Sequence, residues 1–221
     1  IDKKSPYTGG HCERVPVISM MLAEEVEKVD YGKFKDFSMT DDEKYELSIA
    51  AWLHDCGKVA TPPHVVDKST KLETIFDRIE IVKTRFEVLI RDAEIEFLKK
   101  NTELMGNGKD EEKIELKQEY EKRIEQYQED REFIIKMNTG GEFMAEDLQE
   151  RVKSIGNYKW RNNGIELPFL DENEVRNLNI AKGTLLPEER EIINDHIRIT
   201  IEMLEQLPYP KNLKHVPEFA G

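Results

Sequence analysis

The sequence predicts an all-α fold with an inserted antiparallel coiled-coil hairpin, and three observations indicate it. Apolar residues recur at steps of three and four along residues 14–29, 40–55 and 186–207, as they do on one face of an amphipathic helix. Thr40 and Pro187 stand at favoured helix N-terminal positions, each followed by acidic side chains. Between these helices, a longer stretch carries an apolar repeat of the heptad kind, which is typical of coiled coils.

The first two helices are predicted from their ends and their apolar faces. Pro16 is tolerated only near the start of the first helix. "ATPPH" (60–64) ends the second helix, because two consecutive prolines cannot continue it. The predicted apolar faces consist of Val15, Ile18, Leu22, Val26 and Val29 in the first helix, and of Leu47, Ala50, Ala51 and Leu53 in the second.

The hairpin is predicted at residues 73–137, inserted into a globular domain formed by residues 1–72 and 138–221. "MGNGKD" (105–110) interrupts the heptad repeat and joins its two helices. The hairpin is either a solvated structural insertion or a surface for a homodimer or a signalling partner, and the sequence leaves both open. The seam is formed by Ile75, Ile79, Val82, Phe86, Leu89 and Ala93, and by Tyr120, Ile124, Tyr127 and Ile134 in the second helix.

The rest of the chain is predicted to contain short helices and loops. Residues 142–156 form a short helix, residues 156–185 are mostly loop, and "DENEVRNL" (171–178) adds a helical turn. A last clear helix starts at Pro187 and ends before "PYP" (208–210). Its apolar face consists of Ile192, Ile193, Ile197, Ile201 and Leu204.

Composition limits the classes of partner. The chain has 221 residues and a formal net charge of -13, which argues against non-specific binding to polymeric nucleic acid or to an anionic membrane. No apolar run is long enough to span a bilayer. Cys12 and Cys56 are too few for a disulfide framework. We therefore expect a cytoplasmic location, either of this protein or of the cytoplasmic part of a larger sensor, since the chain begins at Ile1 rather than Met.

The stretch "WLHDCGK" (52–58) carries the candidate chemistry. Neighbouring side chains on a helix diverge by about 100°, so His54 and Asp55 can meet at one ion only where a helix ends. Gly57 and the prolines that follow provide such an end. An imidazole and a carboxylate can bind metal ions, and Lys58 can meet a phosphate oxygen. The alternative interpretation is a capped helix end with a surface His and Asp.

Three stretches resemble one family. "AAWLHDCGKVATPPHVVDKSTKL" (50–72) is similar to the HD superfamily of metal-dependent phosphohydrolases, and more narrowly to its HD-GYP subfamily, which hydrolyses cyclic di-GMP. "YTGGHCERV" (7–15) and the run from "GTLLPEEREIINDHIRITIEMLEQL" to "VPEFAG" (183–221) resemble the first and a later helix of that subfamily. The resemblance implies a helical bundle of the HD-domain type, with the C-terminal part of the domain expected beyond Gly221.

The resemblance also implies a site. His11, His54, Asp55 and His196 would be metal ligands, with Asp55 bridging two divalent ions, either iron or manganese. Asp55 and Lys58 would be catalytic, and Lys58 would contact the substrate phosphate. Arg14 would bind substrate or orient its helix through a salt bridge. The implied reaction is attack by metal-activated water on phosphorus, which gives pGpG or GMP.

Departures from the family pattern qualify this expectation. The remaining ligands of the subfamily, a His-His pair and a later Asp, and its GYP signature would follow Gly221. Tyr7 stands where members with three metals have a Glu, so two metals are expected. His64, His215, Cys12 and Cys56 are interpreted as structural or surface residues. The alternatives to cyclic di-GMP hydrolysis are an HD phosphohydrolase for another nucleotide and a non-catalytic signalling module.

Overall fold

The computed structural model describes residues 10–104, 110–141 and 143–221. Within these residues the regular elements are helices apart from one small sheet, so the predicted all-α fold class is confirmed. Tyr7 and residues 105–109 of the turn predicted at 105–110 lie outside the described residues. The elements in chain order are α1 (His11–Val26), α2 (Asp41–Leu53), α3 (Pro63–Val66), α4 (Ile79–Glu103), α5 (Asp110–Asn138), α6 (Glu146–Gly156), β1 (Lys159–Asn162), β2 (Ile165–Pro168), α7 (Glu172–Leu178), α8 (Pro187–Asn194), α9 (His196–Glu205) and α10 (Val216–Ala220).

Two compact units make up the described chain. The first contains the described residues up to Asp67 together with Pro187–Gly221, and the second is Lys68–Leu186. The second unit is thus wider than the predicted hairpin at 73–137. The physical reason is that α6, α7 and the segment between them supply apolar side chains to the same core as α4 and α5. These core residues include Val152, Ile155, Phe169, Leu170 and Leu178.

In the first unit, α1 packs along α2, and α10 packs on α2 and α9. A capping box fixes the start of α2: the Thr40 hydroxyl accepts a hydrogen bond from the Glu43 N–H, and the Glu43 carboxylate accepts one from the Thr40 N–H. The core of this unit contains Ala50, Leu204, Val216 and Ala220, with Ile49, Leu53, Cys56, Tyr209 and Leu213 packed against it.

The predicted apolar face of α1 is wrong. Ile18 is 53% exposed and Leu22 is 62% exposed, whereas the buried residues of α1 are Cys12, Pro16 and Ala23. These three side chains are small, so α1 can lie close to α2. Periodicity identified a helix here but selected the face with the larger side chains instead of the one that packs.

The last predicted helix is divided in two at Asp195, between α8 and α9. Ile192 and Ile197, which were assigned to its apolar face, are 42% and 46% exposed. Thr200 and Leu204 are the buried side chains of α9. Leu204 was part of the predicted face and is buried as expected, whereas Thr200 was not, so the buried face is shifted toward Thr200 and includes a hydroxyl.

In the second unit, α4 and α5 form an antiparallel pair. Glu87 pairs with Arg131 and Glu96 with Arg123, so residue numbers rise along one helix as they fall along the other. Ile75 is 94% exposed and does not belong to the seam. The other predicted seam residues of α4, which are Ile79, Val82, Phe86, Leu89 and Ala93, are all buried within one chain.

The sheet falls in a stretch that was predicted to be mostly loop. β1 and β2 pair antiparallel, with Lys159 opposite Pro168 and Asn162 opposite Ile165. Asn163 and Gly164 form the turn with positive φ angles of 50° and 79°. An Asn-Gly pair between two short strands is a strong hairpin signal, so the sequence did contain this information.

None of the described helices combines the length and the apolar character that crossing a membrane requires.

A buried ion pair ties α7 to α4 and gives a stability prediction. Arg85 donates two hydrogen bonds to Glu174, at 2.6 and 3.1 Å, and Glu174 is 1% exposed. Glu174→Ala leaves the Arg85 guanidinium, whose side chain is only 15% exposed, without its carboxylate partner, so we expect the second unit to lose about 3 kcal/mol of stability. Urea unfolding followed by Trp160 fluorescence, with Trp52 replaced by Phe, measures it. Glu172→Ala, at an exposed position of the same helix, is the matched control, and an equal effect of both variants would contradict the prediction.

Lys71 gives a pH prediction for the same unit. Its side chain is buried, donates to the carbonyl oxygens of Leu178 and Ile180 at 2.8 Å each, and burial lowers its pKa to about 8. In the unfolded chain a Lys titrates near pH ~10.4, so between these two values the unfolded state holds the proton that the folded state has lost. Stability therefore rises with pH across this window, by up to about 3 kcal/mol, and is lost as pH falls through 8. We measure the urea midpoints of the natural protein and of Lys71→Met from pH 7 to 10.5, and the midpoint of the natural protein minus that of the variant should rise with pH. A difference that does not change with pH would refute the prediction.

Candidate metal centre

The end of α2 turns His54 and Asp55 toward a common point. His54 is the last residue with helical backbone angles, and Asp55 leaves the helix at φ -106° and ψ 9°. A short 3-10 helix, Cys56–Val59, follows at once. The His54 Nε2 atom consequently lies 3.2 Å from Asp55 Oδ2. The convergence that a regular helix prevents is thus achieved at its end, as the sequence indicated.

Asp55 is the centre of the cluster and is 3% exposed. Its Oδ2 atom lies 3.3 Å from His11 Nε2, 3.2 Å from His54 Nε2 and 2.7 Å from Lys58 Nζ. Its Oδ1 atom lies 3.2 Å from His196 Nε2. The five residues expected as ligands and catalytic groups therefore meet at one carboxylate, with different partners on its two oxygens.

Three helices bring these side chains together. His11 begins α1, directly after Gly10, whose φ of 74° is in the left-handed region that favours glycine. His196 begins α9. The packing of α1 on α2 and of α9 on the 3-10 helix Cys56–Val59 carries both imidazoles to the end of α2. Each candidate ligand thus lies at a helix end, where side chains of different helices can converge.

The imidazole orientations fix which nitrogen faces the carboxylate. His54 Nδ1 is 2.7 Å from the carbonyl oxygen of Ala51, and His196 Nδ1 contacts the carbonyl oxygen of Ile193. A carbonyl oxygen only accepts hydrogen bonds, so in each neutral imidazole Nδ1 holds the proton and Nε2 holds the lone pair. This backbone support is the arrangement typical of metal-binding histidines.

The donor set fits a divalent cation. With Nε2 unprotonated, His54 and His196 direct lone pairs at the Asp55 oxygens from 3.2 Å, a contact between acceptors that a shared cation makes favourable. His11, His54 and Asp55 each offer an atom within 4.8 Å of the others. Mixed imidazole and carboxylate ligands suit first-row divalent metals. The residues present therefore can hold a metal ion.

The charge of Asp55 is maintained by its neighbours. Burial acts to raise the pKa of Asp55, but the hydrogen bond from Lys58 and its positive charge, together with the attraction of His54 and His196 in their protonated forms, outweigh it. The net result is a pKa below the ordinary value for an aspartate. Asp55 is thus ionised at neutral pH, as a metal ligand must be.

Arg14 is not part of this cluster. It is exposed on α1, where its guanidinium lies beside Gly10, and it forms no ion pair with any described residue. The expected helix-orienting salt bridge is therefore not found in the described part of the chain. A role of Arg14 in binding substrate remains a prediction.

The other sequence candidates lie elsewhere. His64 is exposed in α3. His215 is held by Glu46, whose carboxylate accepts a hydrogen bond from the His215 N–H and lies 3.2 Å from its Nδ1. Cys12 is buried and Cys56 is half-buried. Among the described residues, the potential metal group contains none of these four side chains.

Two buried polar residues of the first unit were missed by the sequence interpretation. Thr200 is fully buried on α9, and its hydroxyl contacts the backbone of His54 and Gly57. Glu46 is 4% exposed on α2 and holds the backbone at His215. The available signal was a polar residue at helical spacing within an apolar face, although spacing alone does not reveal its partner.

Comparisons with known proteins support an HD domain. Residues 164–221 match the family described as "HD domain", a range that includes His196 but not His11, His54 or Asp55. The "3'3'-cGAMP-specific phosphodiesterase 3" of Vibrio cholerae is 36% identical over 73 residues, which cover 33% of this chain and 14% of the relative. The match thus spans a small part of that relative's length. No solved structure matches the chain.

Proposed function

We propose that this chain is a metal-dependent phosphodiesterase of the HD-GYP type that hydrolyses cyclic di-GMP to pGpG or GMP in bacterial second-messenger signalling. The observation that carries the proposal is the convergence of three imidazole Nε2 atoms and one ammonium group on the buried carboxylate of Asp55. A helix end that served only as a cap needs no such set. Burying these polar groups costs free energy unless they are paired or bind an ion.

We assign His11, His54, Asp55 and His196 as ligands of two divalent ions, iron or manganese. The different partners of the two Asp55 oxygens support a bridging role, because Oδ2 faces His11 and His54 while Oδ1 faces His196. When bound, such ions act as Lewis acids and lower the pKa of a coordinated water. The backbone carbonyls of Ala51 and Ile193 hold the imidazoles of His54 and His196 in the tautomer that binds metal.

Lys58 is assigned to the substrate phosphate. Its Nζ atom is 2.7 Å from Asp55 Oδ2, and 22% of its side chain is exposed. A flexible ammonium at this position can turn from the carboxylate to a phosphoryl oxygen. There it can neutralise the negative charge that develops while water attacks the phosphorus atom. Asp55, in turn, keeps the ammonium close to the reacting group before substrate arrives.

A second substrate is favoured by one comparison. The partial match is to a phosphodiesterase named for 3'3'-cGAMP, which like cyclic di-GMP contains 3'–5' phosphodiester bonds between two nucleosides. The cluster at Asp55 would act on the phosphodiester that both molecules share. The choice between a second guanine and an adenine must then depend on contacts to the base.

The test is hydrolysis of both cyclic dinucleotides by the full-length protein, purified without oxygen and supplied with Fe²⁺ or Mn²⁺. Comparison of kcat/KM identifies the preferred substrate, and formation of pGpG from cyclic di-GMP supports the proposal. A kcat/KM larger for 3'3'-cGAMP selects the second substrate. Metal binding without turnover of either favours an HD phosphohydrolase for another nucleotide. Absence of both metal binding and turnover favours a non-catalytic module.

A further inference from the structure

The hydroxyl of Thr200 joins two parts of the metal centre. Thr200 is 0% exposed. Its Oγ1 atom accepts a hydrogen bond of 2.9 Å from the Gly57 N–H and donates one of 3.2 Å to the carbonyl oxygen of His54. These backbone groups lie just beyond the end of α2, where carbonyl and N–H groups lack regular helical partners. One side chain of α9 thus satisfies the turn that carries His54 and Asp55.

The partner of this hydroxyl is unusual for a helical threonine. A threonine inside a helix commonly donates to the carbonyl four residues earlier, which here belongs to His196. The Thr200 hydroxyl instead donates its proton to the carbonyl oxygen of His54, which is far away in the sequence. The contact therefore connects the helix of His196 to the turn of His54, rather than stabilising its own helix.

Close packing at Gly57 supports the same connection. A Cβ atom at Gly57 would lie 2.1 Å from the carbonyl oxygen of His196 and 2.6 Å from the Thr200 nitrogen. Both distances are far below van der Waals contact, so the turn and the first turn of α9 meet backbone to backbone. The backbone of His196 is consequently held next to the turn that carries Asp55.

We propose that Thr200 is a positioning residue of the metal centre. Its hydroxyl fixes the turn at His54–Gly57 against α9, so that the imidazoles of His54 and His196 face the two oxygens of Asp55 at the same time. This inference rests on the proposed function, because it assumes that these groups bind metal. It adds a residue that makes no contact with the metal ligand atoms themselves. Its effect is exerted through the backbone of His54 and Gly57.

The test compares Mn²⁺ binding by the full-length protein and its Thr200 variants. Thr200→Val keeps the shape but removes the hydroxyl, and we expect Mn²⁺ affinity to fall by about tenfold or more, as for other outer-shell partners. Thr200→Ser keeps the hydroxyl and is expected to lose much less than about tenfold in Mn²⁺ affinity, since loss of the methyl group leaves the supporting contact in place. Electron paramagnetic resonance of free Mn²⁺ measures the affinity without any substrate.

Thr102→Val is the matched control. Thr102 is an exposed helical threonine whose hydroxyl donates to the carbonyl of Leu98 at 2.7 Å, so the same chemical change occurs away from the centre. Its Mn²⁺ affinity should equal that of the natural protein. Circular dichroism establishes folding. If Thr200→Val does not fold, Thr200→Cys replaces it, with weaker binding expected because a thiol is a weak donor.

The outcomes separate the two proposals. Unchanged Mn²⁺ affinity in folded Thr200→Val or Thr200→Cys overturns the positioning role and leaves the proposed function intact. Loss of binding in Thr200→Ser also overturns it, because the hydroxyl would then be insufficient. A natural protein that binds neither Mn²⁺ nor Fe²⁺ overturns the proposed function and this inference with it.

Discussion

Replacing Asp55 by Ala is expected to remove the bound metal and to abolish hydrolysis while helicity is largely retained. Asp55 is the one carboxylate shared by the three imidazoles and Lys58. Removing Asp55 should lower metal affinity by more than the roughly 10- to 100-fold that removing an outer-shell partner costs. Elemental analysis of the purified protein, circular dichroism and cyclic dinucleotide turnover measure the three quantities.

Two further variants make the Asp55 result specific. Asp55→Asn preserves the size of the side chain but removes its charge, so it should lose metal nearly as fully as Asp55→Ala. Asp36→Ala, at an exposed aspartate of the same unit, should retain metal and turnover. Unchanged turnover in the Asp55→Ala protein would exclude the proposed mechanism.

Replacing Lys58 by Met is expected to reduce turnover without loss of metal. The ammonium of Lys58 does not donate electrons to a metal, but it can neutralise phosphoryl charge, and removal of one such group commonly lowers kcat on the order of 10²- to 10³-fold. Metal content should remain at the natural level, since the positive charge of Lys58 opposes a cation beside Asp55. Turnover at saturating substrate and elemental analysis test both parts.

Lys44→Met is the control for Lys58. Lys44 donates to Glu27 at 2.7 Å in the same unit, so the change removes a paired ammonium away from the centre. Its turnover should equal that of the natural protein. If Lys58→Met loses metal together with activity, Lys58 stabilises the cluster instead of acting on substrate, and the assigned role is wrong.

The candidate metal centre was predictable where its residues are adjacent in the sequence. A His-Asp pair followed by a glycine and two prolines indicates a helix end, and the structure places His54 and Asp55 at such an end. The approach of His11 and His196 was expected only from the family resemblance. Nothing in the spacing of these residues measures the distance between their helices.

The parts that could not be predicted depend on packing between distant segments. Ile18 and Leu22 are more apolar than Cys12 and Ala23, yet the small residues are buried, because close approach of two helices selects size as well as hydrophobicity. The role of Thr200 depends on a contact with Gly57 far away in the sequence. Such a contact has no periodic signal in either segment.

The domain boundary shows a third limit. Heptad spacing located the paired helices α4 and α5, but their core extends to residues of α6 and α7 that have no heptad pattern. The Asn-Gly turn between β1 and β2 was a readable signal that the loop-like composition around it obscured. Composition is therefore a weak guide where a two-residue turn determines the structure.

The two ends of the second unit lie next to each other, and this affects how the candidate metal centre can assemble. The hydroxyl of Thr184 donates to the carbonyl of Lys68 at 3.0 Å, so the first and last parts of residues 68–186 are joined within that unit. Once this unit has folded, the chain between Asp55 and His196 behaves as a short connection rather than a long flexible loop. The entropy cost of loop closure rises with the logarithm of loop length. A folded insertion therefore lowers the entropy cost of bringing Asp55 and His196 together.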